Sequence, residues 1–294
     1  MFSPQDTANL LVEALPYFQK FSGKTVVVKY GGNAMISEDL KAKVMQDVTL
    51  MKQVGMRPVI VHGGGPDITG FLKKVGKDSE FVSGLRVTDE ETMEIVSMVL
   101  IGKVNADVVM RLNVCGNRAV GLSGVDAELI RAKKKLAIVH EDGAEHSVDI
   151  GHVGEVENVN AGILADNLDR GYIPVVAPIG VDEDGAQYNI NADYVAAAIA
   201  GALHAEKLLL LTDVEGIYKD FSDKSSFISS LTKAEAESYI ADGTISGGMI
   251  PKVEACLTAL SQGAHKTSII DGRLPHSLLL ELFTEQGIGT EIVQ

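Results

Sequence analysis

At 294 residues the chain can form one large α/β domain or two lobes around a cleft. Hydrophobic residues make up 46%, only 5% are aromatic and none is tryptophan, which suits helices packed on a buried parallel sheet. A net charge of -14 excludes the broad basic surface that nucleic acid requires, yet a few lysines focused in one cleft can still hold a small anion.

The chain opens with Ser3-Pro4, which reads as a helix start, with serine as N-cap and proline at the first helical position. Leu11, Leu15 and Phe18 form an apolar stripe that Pro16 would kink. This segment packs either on its own domain or on a partner subunit. Met1 to Asp6 carry no basic region followed by an apolar stretch, so no secretory signal is expected.

Short aliphatic runs then recur at Thr25 to Lys29, Pro58 to His62, Ala119 to Leu122, Ile173 to Ala177, Lys207 to Thr212 and Thr267 to Asp271. Helical spacing separates them: Leu40, Val44, Val48 and Met51 share a stripe within 38–54, and similar segments follow at 89–114, 160–169, 191–203, 232–242 and 249–262. Strand followed by helix, repeated, predicts an α/β fold with a mostly parallel central sheet between helices. Residues 134–158 alternate around Gly143 and predict a small antiparallel insertion. Cys115 and Cys256 lie far apart and outside any metal-ligand spacing, which fits a reducing, cytoplasmic compartment. The aliphatic runs are too short to span a bilayer, so no membrane association is expected.

Most of these runs end in glycine or a polar residue, at Gly31-Gly32, Gly63-Gly64-Gly65, Ser123-Gly124 and Thr212-Asp213. In such sheets ligands gather at the carboxyl ends of strands. No GxxxxGK[ST] loop is present, so a P-loop nucleotide site is disfavoured. The glycine turns can still bring backbone N–H groups close to phosphate or carboxylate oxygens. Lys29 closes a strand that otherwise reads as buried, and needs either an anionic partner or a route to solvent. Lys252 falls in the first turns of a helix, where a cation is electrostatically disfavoured unless an anion is near. Asn189, Asn191 and Asp193 crowd one helix start, and Asp193 can hold two ammonium groups.

Taken together, Lys29-Tyr30-Gly31-Gly32-Asn33-Ala34-Met35, Val61 to Pro66, Gly84-Leu85-Arg86-Val87-Thr88, Asn189 to Asp193, and Gly247-Gly248-Met249 with Lys252 resemble the acetylglutamate kinase branch of the amino acid kinase family. The likeness covers essentially the whole chain in the family's order. It implies MgATP-dependent phosphorylation of the γ-carboxylate of N-acetyl-L-glutamate, an early step of arginine synthesis. Residues 23–204 would bind the amino acid and 205–294 the nucleotide. By the same resemblance Gly64 and Gly65 contact the substrate through their backbone, Arg86 clamps its α-carboxylate, and Asn189 and Asn191 hold its polar groups. Lys29 and Lys252 stabilise the phosphoryl group in flight, Gly32 supplies a backbone donor and Asp193 orients both lysines. Gly31, Thr212, Asp213, Val214, Glu215, Gly216, Ile217 and Tyr218, with Thr244, Ile245, Ser246 and Met249, line the nucleotide pocket. Mg²⁺ is held mainly through phosphate oxygens, with no protein metal ligands.

Residues 1–22 resemble the interlacing helix of arginine-inhibited hexamers, trimers of dimers. Lys207, Glu281 and Gly287 match the family's arginine site, with Glu281 expected to pair a guanidinium bidentately. Ser268 stands where sensitive members commonly carry histidine. The expectation is a hexamer inhibited by L-arginine, and some family members also bind a PII-type nitrogen sensor. The competing readings are another kinase of the same fold and a silent sensor of acetylglutamate or arginine. The glycine turns do not follow the GxGxxG pattern of a dehydrogenase.

Overall fold

The computed structural model describes residues 3–141 and 144–294; Gly143, the expected centre of the insertion, lies outside them. All six aliphatic runs become strands of one sheet: β1 (Thr25–Tyr30), β2 (Arg57–His62), β3 (Ala119–Ser123), β4 (Ile173–Ala177), β5 (Lys207–Thr212) and β7 (Lys266–Asp271). Two further strands, β6 (Ser230–Thr232) and β8 (Thr290–Val293), are too short to stand out in the sequence. The order across the sheet is β6-β8-β7-β5-β1-β2-β4-β3, parallel throughout except where β7 meets β8. From β1 the chain first builds outward through β2, β4 and β3, then returns to add β5 on the other side of β1. This reversal places a crevice at the carboxyl end of β1.

Every residue of β5 is buried and five of six in β1 and β2, as expected for strands covered on both faces. Val27, Val59, Val61, Leu208 and Leu210 face one core, together with residues of α7 (Ala192–Ala202) and α9 (Ile250–Ser261). Val26, Val28, Ile60, Leu209 and Leu211 face the other, with α2 (Glu38–Gln53). The small residues of α7, nearly all buried, let it lie close to both α9 and the sheet.

Three expectations change. The helix predicted over 89–114 is α4 (Glu90–Ser97), a π-helical stretch (Met98–Asn105) and α5 (Ala106–Val114), all apolar enough to read as one stripe. The helix α3 (Gly65–Lys74) starts inside what the sequence suggests is only a turn. The insertion begins at Ile130–Lys134, which pairs antiparallel with Gly154–Val159 and frames a hairpin of Ala137–Glu141 and Ala144–Val148.

The helix α1 (Pro4–Phe21) is closed by a capping box between Ser3 and Asp6 and continues through Pro16 as a single helix. Its last turns pack on the chain's own carboxyl-terminal part, with the Phe18 ring 5.3 Å from that of Phe283. Leu10, Leu11, Val12 and Leu15 stay exposed. The remaining helices are α6 (Gly162–Asp169), α8 (Lys233–Ala241) and α10 (Ser277–Leu282). Among the described residues no helix is long and apolar enough to cross a membrane.

Candidate active site

The end of β1 delivers Lys29 into the crevice. Its side chain crosses Gly31, where a Cβ would lie 2.7 Å from Lys29 Nζ, so glycine there leaves the ammonium its path. Gly32 adopts φ +65° with Asp213 packed against it, a Cβ falling 2.5 Å from Asp213 Oδ1. Both the backbone conformation and the space therefore require glycine.

Asn191 caps α7 by accepting a hydrogen bond from the Asp193 N–H at 2.8 Å. The cap sets the first turn and sends the buried Asp193 carboxylate between two lysines. Lys29 Nζ lies 3.0 Å from Oδ1, an ion pair whose angle falls short of a good hydrogen bond, and Lys252 donates to Oδ2 at 3.0 Å. Burial alone would raise the Asp193 carboxyl, but Lys29 and Lys252 hold it below the usual carboxylate range. Lys252 sits in the first turn of α9, and Asp193 supplies the negative charge that position lacks.

Two connected hollows open here. One, about 260 Å³, is lined by Lys29, Gly31, Gly32, Asp193 and Lys252; the other, about 240 Å³, by Phe81, Arg86, Pro178 and Asn189. Both share Gly63, Gly64, Gly65, Asn191 and Ala192 as walls. Arg86 is 8% exposed and donates to Ser79 Oγ at 2.5 Å, Thr69 Oγ1 at 2.8 Å and the Gly65 carbonyl at 3.1 Å. Its guanidinium lies over the Phe81 ring, 4.7 Å from the centroid. Among the described residues no carboxylate pairs with it, and burial lowers its pKa. A buried cation held only by neutral groups is a ready partner for an anion. Thr69, Ser79 and Phe81 carry no signal in the sequence; only the fold brings them to Arg86.

The nucleotide residues named from the resemblance follow β5. Thr212 is buried at the strand end, and Asp213 abuts Gly32, so the two ends of the crevice meet. Glu215 accepts from Tyr218 Oη and from Lys224 at 2.7 Å, both at Oε2. Gly216 is hemmed by Thr290 and Phe227. Ile217 and Ile245 place their side chains in the core. Their N–H groups bond Thr290 Oγ1 at 2.8 Å and the Tyr239 carbonyl at 2.7 Å, so neither residue keeps a donor for a ligand. Thr244 donates its N–H to Asp242 Oδ1, Ser246 is exposed, and Met249 packs partly against the core. Gly124 also leaves the crevice: a Cβ there would collide with the Ile179 carbonyl and the Ile130 side chain, so it serves packing.

The model of the amino acid kinase family matches residues 24–271, from the first residue before β1 to the end of β7. The chain belongs to the amino acid kinase family. Acetylglutamate kinase from Pelotomaculum thermopropionicum is 58% identical over 99% of both chains. That from Moorella thermoacetica is 56% identical over 99% of this chain and 98% of its own. Among solved structures, N-acetylglutamate synthase from Neisseria gonorrhoeae, in complex with coenzyme A and N-acetyl-glutamate, superposes with a TM-score of 0.79 at 27% identity. The match covers 97% of this chain and 62% of the synthase. Carbamate kinase from Giardia lamblia bound to AMP-PNP, with a TM-score of 0.64 at 16% identity, shares the fold.

This family member has another cavity, about 690 Å³, between α1 and the carboxyl-terminal strands. Tyr17, Lys20 and Phe21 of α1 line it, as do Lys207, Glu281 and Gly287. Lys207 donates to Glu281 Oε1 at 2.8 Å and to Glu291 Oε1 at 3.0 Å. Glu281 Oε2 accepts the N–H groups of Ile288 at 2.9 Å and Gly289 at 3.2 Å. Burial would raise the Glu281 carboxyl, but Lys207 and these donors keep it low. With three of roughly four acceptor positions filled, Glu281 is not free for the bidentate pairing expected of it. Gly287 adopts φ +64° directly over this carboxylate. Ser268 is fully buried behind it, its hydroxyl lacking a hydrogen bond of good geometry.

Proposed function

We propose that this chain is an acetylglutamate kinase, transferring the γ-phosphoryl group of ATP to the side-chain carboxylate of N-acetyl-L-glutamate in arginine biosynthesis. The observation that carries the reading is the Lys29–Asp193–Lys252 constellation opening beside Arg86, in a chain 56–58% identical to acetylglutamate kinases along its length. Residues 23–204 provide the amino acid lobe and 205–294 the nucleotide lobe.

The nucleophile is a carboxylate with an ordinary pKa of about 4.3, already ionised at neutral pH. No general base is needed, and Asp193, held by two lysines, is not arranged as one. The obstacle is repulsion between the carboxylate and the triphosphate. Arg86 anchors the α-carboxylate, with Asn189 and Asn191 beside it. The acceptor oxygen then bonds the γ-phosphorus as the bond to the β-phosphate oxygen breaks, leaving ADP and an acyl phosphate. Lys29 and Lys252 face the transferring group from two sides, so catalysis is positioning plus electrostatics. The Asp193 carboxylate is taken by Lys29 and Lys252, so Mg²⁺ would be held here through phosphate oxygens. When bound, it neutralises phosphate charge.

The 690 Å³ cavity is the seat of arginine inhibition on this reading, and the exposed Leu10 to Leu15 face of α1 is what a neighbouring dimer covers in a hexamer. Glu281 offers a guanidinium one oxygen rather than two. A cytoplasmic setting and a PII-type partner fit the same reading.

The test is coupled ADP release with MgATP on N-acetyl-L-glutamate, L-glutamate and N-acetyl-aminoadipate, each with and without arginine. Turnover on acetylglutamate above the others is the expected result. Silence on it overturns the reading, and indifference to arginine removes the regulatory part alone.

A further inference from the structure

Two buried polar side chains next to the crevice have no part in the chemistry above. His62 ends β2 with no exposure, and Asn105 ends the π-helical stretch at 5%. Asn105 Nδ2 lies 2.8 Å from the Val175 carbonyl, 3.4 Å from that of Leu122 and 3.1 Å from His62 Nε2. Carbonyls only accept, so this end of the amide is the NH₂ and His62 Nε2 is an acceptor. The His62 proton therefore sits on Nδ1, which donates to the Gly63 carbonyl at 2.7 Å. Burial pushes the His62 pKa down to about 4, so the ring stays neutral and carries one proton at working pH.

Both peptide groups of Gly63 are thus held, since its N–H donates to the Tyr30 carbonyl at 2.7 Å. The next glycine is held sterically: a Cβ on Gly64 would collide with Leu100, and Val104 Cγ2 would lie 3.5 Å from it. Leu100, Val104 and Asn105 all belong to the π-helical stretch. In an α-helix a residue five positions on lies about 140° round the axis. The wider π turn returns it to the same side, which lets Asn105 and Leu100 address one loop. Gly63 and Gly64, which link β2 to α3, have no side chains to order them, so a pre-set turn gains from restraint outside it.

We propose that Asn105 is a positioning residue for the acceptor site: by fixing the His62 tautomer it holds the Gly63–Gly64 turn that leads into α3, against which the π-helical stretch also packs. The proposal rests on the reading that this turn lines the acetylglutamate site.

The wild-type enzyme tests the network directly. In ¹⁵N NMR of histidine-labelled protein, His62, assigned by its loss in His62→Asn, should show the Nδ1–H tautomer from pH 6 to 8.5. Its Nδ1 resonance should shift with acetylglutamate and not with MgATP alone. An Nε2–H tautomer, or no shift with acetylglutamate, overturns the proposal, and the tautomer needs no turnover to be read. Kinetics supply the second test. Asn105→Ala and His62→Phe should raise the KM for acetylglutamate ~10- to 100-fold, the scale of a misplaced binding group, with the KM for MgATP within about twofold. His62→Asn, whose amide can still reach the Gly63 carbonyl, should recover most of that loss. Equal rises in both KM values, or His62→Asn no better than His62→Phe, sink it.

Discussion

Lys252 donates to Asp193 Oδ2 at 3.0 Å, tying the first turn of α9 to the first turn of α7 across 59 residues of sequence. Lys29 reaches the other oxygen from β1, so one buried carboxylate sets the spacing of two cations. A single substitution at any of the three should register on the others.

Asp193→Asn keeps the shape and removes the charge. Two poorly solvated ammonium groups then lose their counter-ion, which costs roughly 3 kcal/mol when a buried pair is broken. The expected result is a lower Tm together with a fall in kcat. A variant with normal kcat and a lowered Tm would leave Asp193 a structural residue only.

Lys29→Ala should lower kcat on the order of 10²–10³, as loss of a preorganised charge does, while the KM for acetylglutamate moves little. Steady-state kinetics decide it. A near-normal kcat with a raised KM would assign Lys29 to binding.

Arg86→Ala should act in the opposite sense. On the proposed reading its ion pair with the α-carboxylate is made before and during transfer, so the KM for acetylglutamate should rise while kcat holds within about tenfold. An unchanged KM removes Arg86 from the site. Arg86→Lys should rescue little, because Ser79, Thr69 and the Gly65 carbonyl would use all three donors of an ammonium and leave none for a carboxylate.

The buried Asp47 of α2 faces His276 at the start of α10, Oδ1 to Nδ1 at 2.5 Å. Burial pushes its pKa up to about 6, with His276 opposing. The folded value exceeds the unfolded one of about 3.9, so the native state binds the extra proton between them. This group's contribution to stability therefore falls as pH rises through 6. Asp47→Asn abolishes that dependence, and its Tm relative to wild type should climb between pH 5 and pH 7.5. Parallel melting curves across that range would refute the assignment.

Removing residues 1–22 takes Tyr17, Lys20 and Phe21 from the 690 Å³ cavity. On the proposed reading of a hexamer inhibited by arginine, light scattering should then find dimers, and arginine should no longer inhibit, with uninhibited turnover within about twofold. An arginine-inhibited hexamer after the deletion would show that α1 serves neither purpose.

The six principal strands, most of their helices and the Lys29, Asp193 and Lys252 set were all legible in the sequence. Each is announced by local chemistry: an uninterrupted aliphatic run for a strand buried on both faces, a glycine pair at its end, a cation where a helix start disfavours one. The family resemblance then supplied roles that spacing alone could not. Only the tertiary structure decided what each polar group is bonded to. The N–H groups of Ile217 and Ile245 are committed to Thr290 and Tyr239, which no local pattern announces. Glu281 looked like a free clamp until Lys207, Ile288 and Gly289 filled three of its acceptor positions. The π winding at 98–105 is invisible in the sequence, because the same apolar residues satisfy an α-helical stripe, and the contacts of Asn105 with His62, Leu122 and Val175 on three strands exist only in the fold. Periodicity is a property of neighbours along the chain. Hydrogen-bond partners tens of residues apart exist only once the sheet has brought its strands together.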